Sequence, residues 1–352
     1  MSFLRIPQVL LRPVPGFLIL FGSGTAGGYA YTSYAKSDQE SGALNQHDFS
    51  PYTLVSKKPV SSTSSIFTLR PRYTDADSRS LLQQACKKGI WSVQVKQPQL
   101  QIARSYTPLP STSGEAELQD QLRVLIRREE SGEVSNYLHK LPEETTVHLR
   151  GPFLELEIPE NATEVLFLAG GTGIAPALQV ANLLGERKDT KVHILWANRR
   201  REDCVGGKSD MHHLPPSGPL SGFRGMFGSQ QITSASPATS QAVYEASVVQ
   251  EIDKLKSRGR PGSLIVDYFV DEEGSFIREK DVQQHVRHLA KEDHDVASQT
   301  RPSEKYILVS GPDGFIKHLA GEKVWVGGRE AQGPLGGVLS KMDLPGWRII
   351  KL

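Results

Sequence analysis

The run Glu164-Val-Leu-Phe-Leu-Ala-Gly-Gly-Thr-Gly-Ile-Ala-Pro-Ala-Leu-Gln-Val-Ala-Asn-Leu-Leu-Gly185 changes character twice. Val165 to Ala169 is continuously apolar, the pattern of a strand buried on both faces. Gly170-Gly-Thr-Gly-Ile-Ala-Pro176 is a turn sequence. Pro176 to Leu184 then reads as a helix that Gly185 ends. Strand, glycine turn and helix in this order predict the first unit of a parallel α/β sheet that binds a nucleotide. Glycines permit the tight turn and let backbone N–H groups approach a pyrophosphate, and the helix N-terminus adds favourable partial charge. Pro176 suits the first helical turn, where a missing N–H costs little. Gly170, Gly171, Thr172, Gly173 and Pro176 are therefore candidate nucleotide-binding residues. A plain strand-to-helix turn does not require three glycines, a threonine and a proline in this order.

Downstream, Val192-His-Ile-Leu-Trp196, Leu264 to Val270 and Tyr306 to Ser310 repeat the apolar strand pattern. Helical segments fall between them, near Tyr244–Lys256 and Glu279–Ala290, so strands alternate with helices as in βαβ units. Residues 161–352 are thus expected to form one α/β, Rossmann-like domain. Its interruption at about 205–241, rich in Gly, Ser and Pro, reads as a long inserted loop. Dinucleotide folds place an acidic residue near the end of the second strand to hold ribose hydroxyls. Here that strand runs into Ala197-Asn-Arg-Arg-Arg201, with Glu202 and Asp203 only afterwards. Three arginines suit a 2′-phosphate as well as a solvated loop, which leaves NADH and NADPH both open.

Upstream, from Phe49 to about Pro159, the pattern is different. Tyr52–Val55, Ser65–Leu69, Ile90–Val95, Leu122–Ile126 and Thr145–Leu149 are short and half-apolar, separated by turn residues and by one helix near Ser78–Lys88. Many short strands at this spacing predict a small antiparallel Greek-key β-barrel over residues 49–160.

The 352 residues suffice for two such domains. Lys and Arg total 41 against 39 Asp and Glu, a balance that gives no case for nucleic-acid binding. Two cysteines, Cys86 and Cys204, exclude a disulfide framework and stand in no metal-like spacing, and no metal is expected. The adjacent His212 and His213 read as solvated, and His285 and His288 as surface residues of a helix. The first segment stands apart. Residues 1–13 hold Arg5 and Arg12 and no carboxylate, and residues 14–35 are uncharged. About twenty residues at ~1.5 Å each cross a ~30 Å hydrocarbon core. A basic, acid-poor leader before such a span suits mitochondrial import with arrest of a transmembrane helix in the inner membrane. The positive-inside rule then leaves the body in the intermembrane space, beyond a polar linker at 36–48.

In chain order, Arg104-Ser-Tyr-Thr-Pro108, Gly132-Glu-Val-Ser135, Arg150-Gly-Pro152 and Gly170 to Pro176 resemble the ferredoxin–NADP reductase superfamily, and within it the NADH–cytochrome b5 reductase branch. The resemblance implies an FAD-binding barrel and an NAD(P)H-binding domain. Arg104 would pair with the FAD pyrophosphate, as a guanidinium fork matches phosphate geometry. Tyr106 would lie on the isoalloxazine, with Ser105 beside it, and Thr107 would hydrogen-bond near flavin N5. Gly132, Val134 and Ser135 would meet the FAD phosphates, and Thr172 would lie between flavin and nicotinamide. Ser310-Gly-Pro312 stands where the family has Cys-Gly-Pro. Ser310 thus replaces the residue beside the transferring hydride, while Gly311 and Pro312 keep the turn. Asn198-Arg199 followed by Glu202-Asp203 is closer to NADH-using members, which favours NADH over NADPH.

The basic leader, the Ser310 turn and the tail Gln332 to Leu352 resemble a fungal family of mitochondrial cytochrome c import factors. That resemblance implies an FAD-dependent reductase that keeps haem iron ferrous before its attachment to apocytochrome c. Cytochrome c haem lyase and apocytochrome c would be its partners. Hydride would pass to FAD and leave as single electrons to a haem or haem-protein acceptor. A generic cytochrome b5 reductase-like enzyme and a cofactor-free membrane scaffold are the two alternatives.

Overall fold

Alternation of apolar and polar residues builds the first half of the molecule. The computed structural model describes residues 44–73, 75–111, 121–185, 187–211, 247–291 and 303–352. All of them belong to the unit Gly42–Leu352. The leader at 1–13, the anchor at 14–35, most of the linker at 36–48, His212 and His213 lie outside the described residues. Among those described, no helix is long and apolar enough to cross a membrane.

Strands β1 (Ser50–Pro59), β2 (Ser64–Pro71), β3 (Gly89–Gln97), β4 (Ile102–Tyr106), β5 (Pro108–Leu109), β6 (Leu122–Arg127) and β7 (Thr146–Glu157) form one antiparallel sheet in the order β4-β3-β7-β1-β2-β6-β5. β4 pairs with β3 and β5 with β6, and only Thr107 separates β4 from β5. One bent segment therefore joins the two edges of the sheet and closes it into a Greek-key barrel. Closure removes the exposed edges that an open sheet would present. Leu54, Phe67, Val93, Val95, Val124, Ile126, Val147 and Leu149 fill its interior from alternating positions. Helix α1 (Ala76–Lys88) starts at Asp75, whose side chain accepts from the Ser78 N–H at 2.6 Å. A second helix, α2 (Glu133–Lys140), turns Val134 and Leu138 into the same interior, with Tyr137 and Leu141 packed against it.

The second half is a parallel sheet of β8 (Ala162–Gly170), β9 (Lys191–Asn198), β10 (Leu264–Val270), β11 (Glu304–Ser310) and β14 (Trp347–Lys351) in the order β10-β9-β8-β11-β14. Helices α3 (Ile174–Gly185), α4 (Val248–Arg258), α5 (Glu279–Lys291) and α6 (Asp313–Ala320) cover it. A small hairpin, β12 (Val324–Val326) with β13 (Arg329–Ala331), precedes β14. The start of the expected insertion, 205–211, is ordered against β10: Val266 N–H donates to Asp210 at 2.7 Å and Met211 N–H to Asp267 at 2.9 Å. Residues 212–246 lie outside the described residues.

The two halves share one core. Val60, Ile66, Leu109 and Leu125 on the barrel's outer face are buried with Ala177, Leu178 and Ala181 of α3 and with the α3 face of the sheet. Across this core Arg123 of β6 makes two hydrogen bonds to Glu251 of α4, at 2.9 and 3.1 Å.

His285 corrects the surface assignment made from its helical spacing. It is 1 % exposed, with Nδ1 3.0 Å from His193 Nδ1 and Nε2 3.0 Å from Asp267 Oδ2. A buried carboxylate on β10 and a buried imidazole on β9 face this helix position, which lies on the same side of the helix as the buried Val282 and Leu289. Burial, then the neighbouring His285 and His288 rings and Lys191, push the His193 pKa down from 6.5 to about 2. Folded His193 therefore refuses a proton that the unfolded chain accepts. Its contribution to stability is complete above the unfolded value, 6.5, and is lost progressively as pH falls towards about 2. The slope is up to about 1.4 kcal/mol per pH unit. The melting temperature is expected to fall between about pH 7.5 and about pH 5.5 and to fall less in His193→Gln; an equal fall in both contradicts this assignment.

Candidate functional site

Strand β4 carries Arg104 and Tyr106 two residues apart, so both side chains leave the same face of the barrel. Facing them is the start of α2, where Gly132 is the N-cap and supplies no side-chain hydrogen bond. The first N–H groups of a helix have no intrahelical acceptor, which leaves donors and positive partial charge at this point. A cleft of about 260 Å³ lies between them, lined by Arg104, Ser105, Tyr106, Leu125, Ile126, Arg127, Glu129, Gly132, Glu133, Val134, Ser135 and Thr172. Seven of the residues expected to meet FAD or the nucleotide thus share one surface: Arg104, Ser105, Tyr106, Gly132, Val134, Ser135 and Thr172.

Each has a defined state. The Arg104 guanidinium is 3.8 Å from Glu133 at the head of α2 and otherwise exposed. Burial, opposed by Arg104 and aided by Glu129, pushes the Tyr106 pKa up to about 12, so the ring stays neutral. Val134 is 1 % exposed and sits in the barrel core, so only its backbone faces a ligand. The Ser135 hydroxyl accepts from Glu129 N–H at 3.2 Å and donates to the Gly132 carbonyl at 3.1 Å. It shapes the turn that leads into α2. Thr107 is half-buried between β4 and β5 and is not among the lining residues.

The remaining expected residues surround Thr172. Gly170, Gly171 and Gly173 form the turn between β8 and α3, and Gly311 and Pro312 the turn after β11. A Cβ on Gly173 would lie 2.3 Å from the Ser310 carbonyl oxygen, so only glycine lets the two turns touch. Ser310 is 9 % exposed and pairs with Ala169 at the ends of their strands. Pro176 is buried within α3 and holds the helix start rather than facing the cleft.

Arg127 was not read from the sequence. It ends β6 on the outward-facing phase of Arg123, the one pattern that marks it. Its Nη2 donates to Asp203 Oδ2 at 2.6 Å, while its Nε is buried without a partner. Glu202 and Asp203 are also placed unexpectedly. The Ser62 N–H and hydroxyl donate to Glu202 at 3.2 and 2.5 Å, and Ser64 donates to Asp203 at 3.4 Å. Both carboxylates face the barrel, so the choice between NADH and NADPH does not rest on them.

These donors fit a long ligand with a flat apolar end and an anionic middle. Tyr106 offers a ring, Arg104 and the α2 N-terminus offer charge and N–H groups, and Arg127 has a buried donor to satisfy. FAD has this chemistry.

The oxidoreductase FAD-binding domain family matches residues 51–158, and the oxidoreductase NAD-binding domain family matches residues 167–212. The chain therefore carries an FAD-binding and an NAD-binding oxidoreductase domain, in that order. Among relatives, an uncharacterized FAD-binding protein of Schizosaccharomyces pombe is 33 % identical over 51 % of this chain and 60 % of its own length. The cytochrome c mitochondrial import factor CYC2 of Saccharomyces cerevisiae is 30 % identical over 39 % of this chain and 41 % of its own. NADH-cytochrome b5 reductase 2 of Kluyveromyces lactis is 26 % identical over 68 % and 64 %. The chain thus spans between two fifths and two thirds of these relatives. The cytochrome b5 reductase domain of Ulva prolifera nitrate reductase superposes with a TM-score of 0.49 and 17 % identity, covering 78 % of this chain and 91 % of that one.

Loss of a charge-assisted phosphate contact costs on the order of 1.5–3 kcal/mol. Arg104→Ala is therefore expected to weaken FAD binding at least about tenfold in a flavin-fluorescence titration, with partial recovery in Arg104→Lys. Equal affinity in all three proteins would remove Arg104 from the site.

Proposed function

We propose that this chain is an FAD-dependent NAD(P)H reductase that delivers electrons to haem iron or a haem protein. The observation that carries the reading is the cleft itself. The barrel supplies Arg104, Tyr106 and the head of α2, and the glycine turn of the second domain supplies Thr172 as its wall. FAD, when bound, converts a two-electron hydride into single electrons. The residues of this chain bind and orient. Arg104 and the N–H groups of residues 133–135 would neutralise phosphate charge, Tyr106 would cover a flat ring, and the turns at 170–173 and 310–312 would hold a second nucleotide. On the family resemblance, Ser310 and Thr107 would stand beside the reacting rings, with Ser310 against the Gly173 turn and Thr107 at the bend between β4 and β5.

The finer reading is a reductase of cytochrome c maturation, supplying ferrous haem for attachment to apocytochrome c, with cytochrome c haem lyase as partner. Its support is the likeness to the import factor of S. cerevisiae, the basic leader at 1–13 and the apolar span at 14–35. These also support a mitochondrial inner-membrane anchor with the catalytic body in the intermembrane space. NADH is the donor we favour, on the likeness to NADH-cytochrome b5 reductases. A generic cytochrome b5 reductase activity is the second reading, favoured by the longer matched segment in K. lactis. A scaffold without cofactor has no use for a cleft lined in this way.

Anaerobic mixing of the flavin-loaded protein with NADH, then NADPH, tests the proposal. Bleaching of the flavin bands is expected, faster with NADH, followed by reduction of added ferric haem. Electron delivery to cytochrome b5 but not to ferric haem would favour the second reading. A flavin that neither nucleotide bleaches would refute both.

A further inference from the structure

Trp196 is the one large aromatic side chain on the α3 face of β9. Strand parity puts Val192, Ile194 and Trp196 on that face, and all three are buried in the core shared with α3. Trp196 pairs with Ala169 of β8, one residue before the glycine turn begins, and is 1 % exposed. A buried indole N–H needs an acceptor. It finds one in the Gly171 carbonyl, at 2.9 Å. The same oxygen accepts the N–H of Ile174, the first residue of α3. Across the strand, the Trp196 ring meets Tyr268 of β10 at 5.8 Å between centroids, which fixes the indole's orientation.

Gly171 is the left-handed residue of the turn, with φ +53°. On its other side lies the cleft: a Cβ there would sit 3.9 Å from the Arg127 guanidinium, and Thr172 lines the same wall. The peptide between Gly171 and Thr172 is a rigid trans plane, so its C=O and N–H point in opposite directions. Drawing the carbonyl inward to Trp196 therefore turns the Thr172 N–H outward, at the start of the helix, where a pyrophosphate would meet it.

We infer that Trp196 is a positioning residue for the nicotinamide nucleotide: its indole N–H holds the Gly171 peptide so that the Thr172 N–H faces the phosphate. The inference rests on the nucleotide-dependent reductase reading above. Trp196 touches no substrate. It sets the direction of a donor that does, and the barrel side of the cleft is independent of it.

The test compares wild type with Trp196→Phe, which keeps an aromatic ring and removes the N–H. Both are purified as full chains with FAD and assayed with ferricyanide against NADH and NADPH. The expected result is a KM for the nucleotide raised about five- to tenfold, with kcat and bound FAD within about twofold of wild type. A ring that merely fills space would lower the melting temperature and leave KM alone; an unchanged KM in a flavin-loaded variant overturns the inference. If Trp196→Phe does not fold, the benzothiophene analogue of Trp196 keeps the shape without the donor and is expected to show the same KM effect. A wild type that neither nucleotide reduces would overturn the reductase reading, and the positioning role with it. A wild type that is reduced beside a variant of unchanged KM would overturn the positioning role alone.

Discussion

The side-chain amide of Gln179 fixes the two halves of the site to each other. It lies on α3, two turns beyond the glycine loop, and is 6 % exposed. Its Oε1 accepts the Trp91 N–H at 2.9 Å, and its Nε2 donates to the carbonyls of Trp91 at 3.2 Å and Pro108 at 2.8 Å. The register of β3 against β7 shifts between Ile90 and Trp91, so the ladder is irregular at Trp91 and Gln179 serves its peptide groups instead. Pro108 follows directly on the Tyr106-Thr107 pair. One amide therefore locks the helix that starts at the glycine turn to the segment that carries Tyr106. Each buried group left without a partner costs about 1–3 kcal/mol, so the three bonds are mutually enforcing. With the shared apolar core, this link sets Thr172 at a fixed distance from Tyr106.

Ion pairs reinforce the same seam at its edges. Arg127 with Asp203, after β9, and Arg123 with Glu251, on α4, cross from the barrel to the second half with both partners largely buried. Such pairs add little net stability against an apolar alternative, but breaking one leaves a buried charge. Their role here is geometric. Asp203 holds Arg127 at the wall of the cleft, and Glu202 holds the β1–β2 turn through Ser62. The end of β9, where a dinucleotide fold would place a carboxylate for the ribose, instead turns its acidic residues back to the barrel.

Much of this was legible in the sequence. The continuous apolar run at 165–169, the glycine turn and the helix after it fixed the α/β unit, because a strand buried on both faces and a phosphate turn each leave local marks. Arg104, Tyr106, Gly132 to Ser135 and Thr172 emerged as a set only through the family resemblance, and the structure brings them to one cleft. What escaped depends on contacts between distant residues. Closure of the barrel through a strand bent at Thr107 leaves no period. Arg127 looks like any strand-ending arginine until Asp203 is seen beside it. His285 shares the inward face of its helix with Val282 and Leu289, but its partners Asp267 and His193 lie far off in sequence. The Trp196 hydrogen bond joins a strand to a turn that adjoins its neighbour, which no local pattern encodes.

The cleft between β4 and α2 is the place proposed for FAD. The most direct measurement is the flavin content of the purified full chain, from its visible spectrum and from flavin released on denaturation. One FAD per chain is expected, bound without covalent attachment and restored when added back to the stripped protein. A colourless protein that takes up no FAD when supplied with it would contradict the account.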